Sequence, residues 1–150
     1  MEAREVALEV RSSVTVGLPR DEAFRLFTER MGSWWPLSRH SVYDAEAAGV
    51  TLEPRVGGRL YESAMDGRTS EWGTVTVWEP VDRVAVTWHP GYGEEQATLV
   101  EVTFSDGPDG STQVDLLHTG WEVHGDEASE AAATYRSGWP GVLELFAEAA

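Results

Sequence analysis

The feature that most constrains the fold is a series of five strand-like runs. They cover residues 59–65, 72–78, 83–88, 98–105 and 112–118. Turn-forming sequences separate the runs, and one of them, Asp66-Gly67, is a strong signal for a short hairpin. Strands at near-regular spacing with turns between them predict an antiparallel meander.

A single long amphipathic segment follows the meander. Residues 126–149 are rich in Ala and Glu, and their apolar side chains recur at the three-to-four spacing of a helix. These side chains are Ala128, Ala131, Ala132, Tyr135, Trp139, Val142, Leu143 and Phe146. Gly138 and Pro140 interrupt the pattern, and Pro140 predicts a kink or a restart near Trp139.

The residues before the meander predict one further strand and one or two short helices. The strand is indicated by alternating Val6, Leu8, Val10, Val14 and Val16. A helix then follows, ends at Gly32, and has an apolar face made of Ala23, Phe24, Leu26, Phe27 and Met31. The pattern weakens over residues 37–51, where a second short helix and an irregular loop are equally consistent with the sequence.

Together these elements predict an α+β fold. We expect a curved antiparallel sheet of six to seven strands wrapped on a long C-terminal helix, with one or two short helices after the first strand. The last segment is the only one long enough to cover the apolar face of such a sheet. The length favours one domain over residues 1–150. A space between sheet and helix that side chains fill only in part is the expected binding site.

The charge balance argues against several classes of partner. The chain carries 26 acidic residues against 11 basic ones, a formal net charge of −15, and it contains no Lys. Nucleic acids and anionic membrane surfaces both need cations on the protein, so we expect neither as a partner. The sequence begins without the basic and apolar regions of a signal peptide and contains no apolar run of about 20 residues. We therefore expect a cytoplasmic protein.

Motifs for metal, cofactor or nucleophilic chemistry are missing from the sequence. The chain has no Cys, which excludes disulfides and thiolate ligands. It has no His-Glu-x-x-His motif for zinc, no Gly-x-Ser-x-Gly motif for a nucleophilic serine and no phosphate-binding loop. We therefore predict no metal, no cofactor and no catalytic residue.

Seven Trp residues in a chain of 150 predict a core with an aromatic-lined cavity. The predicted ligand-binding residues are mainly aromatic side chains that would stack on a flat ligand, with Tyr92 as a lid on the rim. They are Trp34, Trp35, Tyr61, Val75, Trp88, Tyr92, His118, Trp121, Tyr135 and Trp139. The alternative is that these rings are ordinary core, and both interpretations hold if a cavity wall is core until a ligand arrives. Strand alternation turns Trp72 and Trp78 to the other face unless a bulge intervenes.

Three titratable side chains in the strands have a chemical and a structural interpretation. His118 could act as an acid or base or orient a ligand, but we favour a buried His bonded to Glu122 or Glu62. Glu62 and Glu101 could form a carboxylate pair inside the cavity. We favour a solvated position, or an ion pair with a neighbouring Arg, for both.

An ordered set of motifs spans nearly the whole chain, over residues 8–148. The motifs are Phe24-x-x-Phe27, Trp34-Trp35-Pro36, Gly57-Gly58-Arg59-x-Tyr61-Glu62, Trp72-Gly73-x-Val75, Glu79-Pro80-x-x-Arg83, Trp88, Val100-Glu101-Val102-Thr103-Phe104, His118-x-Gly120-Trp121-Glu122 and Gly138-Trp139. This set resembles the branch of the START/birch-pollen-allergen (SRPBCC) superfamily that is similar to the activator of the heat-shock-protein-90 ATPase.

The resemblance implies a helix-grip fold that holds apolar small molecules. It favours non-enzymatic binding of an apolar, aromatic or lipid-like molecule, including antibiotic sequestration as in the enediyne self-sacrifice resistance proteins. Two alternatives stay open: an enzyme of the polyketide aromatase/cyclase type, and a co-chaperone of a heat-shock-protein-90-like ATPase. An exposed edge strand also leaves a homodimer open.

Overall fold

The computed structural model describes residues 8–150, and within them the chain forms a seven-stranded antiparallel sheet. The strands are β1 (Val10–Val16), β2 (Ala47–Leu52), β3 (Arg59–Ala64), β4 (Thr69–Glu79), β5 (Arg83–Trp88), β6 (Thr98–Asp106) and β7 (Thr112–Thr119). Their order in the sheet is β1-β7-β6-β5-β4-β3-β2. Strands β2 to β7 form the meander, and β1 extends the sheet as an edge strand beside β7. The predicted strand residue Val6 lies outside the described residues.

Two α-helices complete the fold: α1 (Arg20–Phe27), directly after β1, and α2 (Ala128–Ala149), at the C-terminus. The sheet curls around α2, which confirms the predicted α+β helix-grip architecture. One face of α2 is buried through Ala128, Ala132, Trp139, Val142, Leu143 and Phe146. The helix runs through Pro140 as one element, so the restart predicted near Trp139 does not occur. Burial of the residues on both sides of the proline outweighs the loss of one backbone N–H.

Residues 37–51 contain a strand that the sequence analysis did not predict. After a single 3₁₀ turn at Asp44–Glu46, β2 pairs with β3 and buries Val50 and Leu52. The strand is short and has a register shift between Ala47 and Gly49, so its own pattern is weak. Pairing with β3 stabilises it, and local sequence does not report that partner.

A bulge in β4 decides where the indole ring of Trp72 lies. Leu60 pairs with Gly73 and Tyr61 with Glu71, which leaves Trp72 as the extra residue of the strand and turns its ring inward. At Gly73 an added Cβ would lie 1.7 Å from the carbonyl oxygen of Thr87, so only glycine allows this approach. A bulge therefore does reverse the strand alternation at Trp72, and the ring is buried.

One end of the interface between sheet and helix is filled by phenylalanines. Phe24, Phe27, Phe104 and Phe146 meet in edge-to-face pairs with ring centroids 5.1–6.0 Å apart. We call the four rings the phenylalanine end, because the other end of the same interface is built differently.

Within residues 8–150, no helix is both long and apolar enough to cross a membrane.

Candidate functional site

A cavity of about 280 Å³ opens at the other end of the interface, between β4, β5, α2 and the segment after Trp35. We call it the indole cavity, because four Trp rings are among its lining residues. Its lining residues are Trp35, Arg39, His40, Ser41, Val42, Trp72, Trp88, Pro90, Thr134, Tyr135, Gly138, Trp139 and Val142. A void of about 20 Å³ lies deeper in the core and is bounded by apolar and aromatic side chains.

The four indole rings form a continuous wall. The ring centroids of Trp35 and Trp72 are 5.2 Å apart, those of Trp72 and Trp88 5.6 Å, and those of Trp88 and Trp139 5.3 Å. The planes are tilted by 52–63°, so the rings contact one another without stacking flat. Tilted rings leave aromatic faces and edges exposed to the cavity.

Each of the four indole N–H groups is already bonded within the protein. Trp35 Nε1 donates to the carbonyl oxygen of His40 (2.8 Å), Trp72 Nε1 to Glu62 Oε1 (3.1 Å), Trp88 Nε1 to the Tyr135 hydroxyl (3.0 Å) and Trp139 Nε1 to His118 Nδ1 (3.1 Å). A buried N–H needs such a partner, and the bond fixes the orientation of the ring. The indoles therefore offer apolar surface to a ligand, and none of their donors is free for it.

His118 is a fully buried structural residue behind this wall. Its Nδ1 accepts from Trp139, so the proton of the neutral ring is on Nε2, which donates to Thr98 Oγ1 at 2.6 Å. The Thr98 hydroxyl in turn donates to the carbonyl oxygen of Trp88 at 3.2 Å. The favoured interpretation of a buried, bonded His is right, but Thr98 and Trp139 are its partners and the two predicted Glu residues are not.

Burial keeps His118 neutral. Desolvation, with a smaller effect from the charge of His124, lowers the pKa of His118 from 6.5 to about 3. Both ring nitrogens are occupied by protein partners, so His118 has no free lone pair to offer as a base. Its role is to orient Trp139 in the cavity wall.

Glu62 is also fully buried, which contradicts the expected solvated position. Its Oε1 accepts from the backbone N–H of Val42 (2.7 Å) and from Trp72 Nε1 (3.1 Å), and its Oε2 accepts from the backbone N–H of Tyr43 (2.9 Å). Within residues 8–150, three hydrogen-bond donors and no cation satisfy this carboxylate. Glu62 thereby joins the wall residue Trp72 to the loop that forms the mouth of the indole cavity.

Glu101 has no part in the site. It forms an ion pair with Arg83 on the outer face of the sheet, as the sequence analysis favoured. The alternative in which Glu62 and Glu101 form a carboxylate pair inside the cavity is therefore wrong, because only Glu62 points to the interior.

The mouth of the indole cavity carries the polar side chains that the wall lacks. Ser41 Oγ is buried, and within the described part of the chain it has no hydrogen-bond partner. Arg39 and His40 are exposed at the rim, and partial burial together with the charge of Arg39 lowers the pKa of His40. Burial raises the pKa of Tyr135, whose hydroxyl therefore stays protonated at neutral pH.

A second cavity of about 210 Å³ lies on the other side of Trp88 and Tyr135. Trp121, Tyr92, His89 and His124 contribute to its lining. His89 Nδ1 donates to the carbonyl oxygen of Tyr92 at 3.0 Å, which leaves Nε2 as a buried nitrogen without a hydrogen bond. Tyr92 is 55% exposed and packs edge-on against His124, which places it at the rim.

The structure distributes the predicted ligand-binding residues over four places. The indole cavity is lined by Trp35, Trp88, Tyr135 and Trp139, and the second cavity by Trp88, Tyr135, Tyr92 and Trp121. Three further residues are buried but line neither cavity: Trp34, Val75 and His118. Tyr61 lies on the outer face of the sheet. The Arg59 guanidinium covers the Tyr61 ring at 4.5 Å. Tyr61, Trp34 and Val75 therefore line neither cavity.

Sequence reasoning missed Trp72 and the loop residues Arg39, Ser41 and Val42. The Trp72-Gly73 pair was a usable signal for Trp72, since Gly inside a strand often marks a bulge. The loop carried no periodic signal. In the part of the chain described, no three His, Asp or Glu side chains come together as a group that could hold a metal ion.

Comparison with protein families settles the ancestry of this fold. The family model for activator of Hsp90 ATPase homologue 1-like proteins matches residues 17–150. The chain belongs to this family. The match confirms the resemblance and places the chain in the Hsp90-activator-like branch of the START/SRPBCC superfamily. No curated protein matches the chain.

Several solved structures share the fold. An anthrahydroquino-γ-pyrone synthase, Txn09, is 35% identical, with 93% of this chain and 95% of that one covered and a TM-score of 0.65. The self-sacrificing resistance protein CalC from Micromonospora echinospora is 26% identical over 93% and 92% of the two chains, with a TM-score of 0.64. The Aha1 dimer from Colwellia psychrerythraea, at 16% identity, 95% coverage of both chains and a TM-score of 0.66, shows the fold alone.

Proposed function

We propose that the chain binds a flat aromatic small molecule in the indole cavity. The observation that carries the proposal is that four tilted indole rings, with every N–H already bonded to the protein, present apolar aromatic surface to about 280 Å³ of open space. Burial of ligand area would contribute roughly 25 cal/mol per Å², and contacts with the rings would add to it. The volume lies near the lower end of the range for small-molecule sites, which favours a compact ring system.

The relatives support the same class of ligand. A relative 35% identical is named as the synthase of an anthrahydroquino-γ-pyrone, which is a fused aromatic ring system. CalC, at 26% identity, is named as a resistance protein. The first name is consistent with binding of an aromatic molecule, and the second is consistent with a protective role such as sequestration, which needs no catalysis.

The test uses the two glycines of α2 as a matched pair. Gly138 lines the cavity, and a Cβ added there would lie 3.7 Å from the His40 ring, whereas one added at Gly141 meets open space. We expect Gly138→Leu to place its side chain in the cavity and to weaken binding of anthraquinone-2-carboxamide at least about tenfold, the effect of roughly 1.4 kcal/mol. Gly141→Leu should leave the affinity unchanged. Calorimetry and Trp fluorescence give the two affinities.

The carboxamide is a suitable probe because it is flat, aromatic and neutral. Saturable binding that Gly138→Leu weakens and Gly141→Leu does not would support the proposal. If the wild type binds neither this probe nor anthraquinone-2-carboxylate, or if Gly138→Leu binds the probe as tightly as the wild type does, the indole cavity is not the site.

A second candidate function is ring closure of a bound aromatic substrate. The specific observation in its favour is His40, whose lowered pKa leaves a neutral imidazole beside the cavity at pH 7, together with the identity to a γ-pyrone synthase. A neutral imidazole can accept a phenolic proton. His118 cannot, because both of its nitrogens are bonded.

The enzymatic candidate is tested with an aryl ynone that carries an ortho hydroxyl group. Its phenolic oxygen adds to the triple bond and its proton moves to carbon, so the closure to a γ-pyrone needs no co-reactant. A cyclase should accelerate the loss of ynone absorbance, and His40→Gln should abolish the acceleration while binding persists. Saturable binding with no acceleration would leave the non-enzymatic function alone.

The family also supports two hypotheses about partners. Aha1 from Colwellia psychrerythraea is described as a dimer, and the family is named for activation of the Hsp90 ATPase. Among residues 8–150, β1 and β2 are the edges of the sheet, and each pairs there with one strand only, which leaves its other side for a second copy. Sedimentation at several protein concentrations tests the dimer, and the ATPase rate of an Hsp90 with added protein tests the chaperone role.

A further inference from the structure

The polar groups around the indole cavity share one property: those not yet bonded are hydrogen-bond donors or can carry positive charge. The wall itself contributes no free polar group, because its four indole N–H groups are already used. No Asp or Glu lines the cavity among the residues described. Arg39, Ser41 and Tyr135 therefore determine which polar groups a matching ligand carries.

Arg39 is a cation without a carboxylate partner in a strongly acidic protein. The formal net charge is −15, with 26 acidic residues available to 11 basic ones. Among the described residues, Arg11, Arg20, Arg55, Arg59, Arg68 and Arg83 form ion pairs with Asp or Glu, whereas Arg25, Arg30, Arg39 and Arg136 do not. Of the unpaired arginines, Arg39 is the one that lines the indole cavity. Within residues 8–150 Arg39 has no such partner, although it lies at the cavity mouth. Its guanidinium is free to pair with a ligand.

Ser41 and Tyr135 add two donors beside the aromatic wall. Ser41 Oγ is buried, and no hydrogen bond reaches it from any part of the chain that the structure covers. The Tyr135 hydroxyl accepts the Trp88 N–H at 3.0 Å, and in the described residues its own proton has no acceptor. A buried donor without an acceptor costs free energy that a ligand oxygen would recover.

Glu62 is the nearest buried carboxylate, and it does not change this balance. Three donors from the protein already surround its two oxygens, behind Trp72. His40, which also faces the mouth, can gain a proton but cannot add negative charge. Among the residues described, Arg39 is therefore the one side chain lining the cavity that is charged at neutral pH, while the protein as a whole is negative.

We propose that the natural ligand of the indole cavity is an aromatic oxyanion, a carboxylate or phenolate whose charged oxygen pairs with Arg39 while Ser41 and Tyr135 donate to further oxygens of the ring system. This inference rests on the proposed binding function and adds the chemical class of the ligand. An Arg bonded to an oxyanion forms a charge-assisted hydrogen bond, roughly twice as strong as a neutral one. The net charge of the protein opposes an anion, so a preference for one must come from the site itself.

The experiment compares two probes of the same shape. Anthraquinone-2-carboxylate and anthraquinone-2-carboxamide differ in charge but share the rings, and calorimetry at pH 7.5 measures both. We expect the wild type to bind the carboxylate about tenfold more tightly than the amide. Arg39→Gln should remove the preference by weakening the carboxylate alone.

Arg25→Gln serves as the matched control. It makes the same change of charge on α1, away from the cavity, and should keep the preference for the anion. A third probe, 2-hydroxyanthraquinone, separates phenolate from carboxylate recognition. If phenolates are ligands, its affinity should rise as its hydroxyl ionises in the wild type and stay flat in Arg39→Gln.

The possible outcomes separate the two proposals. If both anthraquinones bind equally well, or if Arg39→Gln keeps the preference, the oxyanion inference is wrong while the proposed function stands. If neither anthraquinone binds, the proposed function fails and this inference fails with it. A preference lost equally in Arg25→Gln would show a general effect of net charge and would overturn the role of Arg39.

Discussion

The two ends of the interface between the sheet and α2 are both aromatic, yet one is filled and the other is hollow. At the phenylalanine end, the rings of Phe24, Phe27, Phe104 and Phe146 meet edge to face. At the indole cavity, four Trp rings surround about 280 Å³. The sheet and α2 contribute to both ends, α1 adds Phe24 and Phe27 to one and the loop after α1 adds Trp35 to the other, and the ends also differ in the type of aromatic side chain.

The physical difference is the indole N–H. A phenylalanine ring has no polar atom and can tilt until it fills the space available to it. A buried Trp must keep its N–H on an acceptor, and here Glu62, His118, Tyr135 and the His40 carbonyl supply one each. These bonds fix the rings as walls, since collapse into the cavity would break them at a cost of about 1–3 kcal/mol each. Packing at one end gives stability, and hydrogen bonding at the other keeps a space open.

The largest expected effect is on stability, at the phenylalanine end. Phe146 is fully buried among Phe27 and Trp34. We expect Phe146→Ala to lower the free energy of unfolding by about 3–5 kcal/mol, because it removes a ring and leaves a void. The affinity of the folded protein for an aromatic probe should change less than twofold, since Phe146 does not line the indole cavity. Urea denaturation and calorimetry measure the two quantities.

The milder Phe146→Leu keeps this prediction testable if the alanine variant does not fold. It should lose about 1 kcal/mol and bind normally. A loss of affinity larger than the loss of stability would show that the two ends are not separate.

The next effect is a dependence of stability on pH that comes from His118, which is buried behind the wall of the indole cavity. The pKa of His118 is about 3 in the folded protein and 6.5 as its ordinary value, so the unfolded chain binds a proton first as the pH falls. Stability is therefore complete above pH 6.5 and decreases below it by about 1.4 kcal/mol per pH unit. Between pH 6.5 and 5 the free energy of unfolding should fall by about 2 kcal/mol.

The matched variants are His118→Gln and His40→Gln. A glutamine amide in place of the His118 ring can accept from Trp139 and donate to Thr98 without titrating, so His118→Gln should flatten the pH dependence. His40→Gln should leave most of it, because His40 is exposed at the rim whereas His118 is fully buried. An unchanged slope in His118→Gln would assign the effect to another group.

The sequence predicted the packing better than it predicted the cavity. Period-two and helical patterns report which face of an element is apolar, and five strands of the meander, β1 and both α-helices followed from them. The short strand β2 did not, because its stability comes from pairing with β3 and not from its own six residues. Trp72 faces the cavity because one bulge reverses strand alternation, and alternation alone gives the opposite face.

The polar partners of the site were harder still to predict. Glu62 lies next to Tyr61 in a strand of mixed polarity, which favours a solvated carboxylate. Its real partners are the backbone N–H groups of Val42 and Tyr43, and these come from a loop without a periodic pattern. Long-range bonds from a side chain to loop backbone leave no signature in either segment. Sequence reasoning therefore predicted that aromatic rings form a wall, but not what holds the mouth in place.

An effect on both stability and binding is expected for Glu62→Gln. The variant keeps the shape of the side chain but puts an NH₂ group where an oxygen accepts from Val42 or Tyr43. One backbone N–H then faces a donor, which should cost about 1–3 kcal/mol and loosen the mouth of the indole cavity.

Glu101→Gln is the control, since it removes an ion pair on the outer face and should cost at most about 1 kcal/mol. We expect aromatic probes to bind Glu62→Gln several-fold more weakly and to dissociate faster, and amide hydrogen exchange at Val42 and Tyr43 to accelerate. Because Glu62 touches Trp72 and the loop but not the open space, faster exchange with unchanged affinity would show that the loop does not hold the ligand. That result would make the indole wall alone responsible for binding. The hydrogen bond from Trp72 to Glu62 would then serve only to fix the orientation of the Trp72 ring.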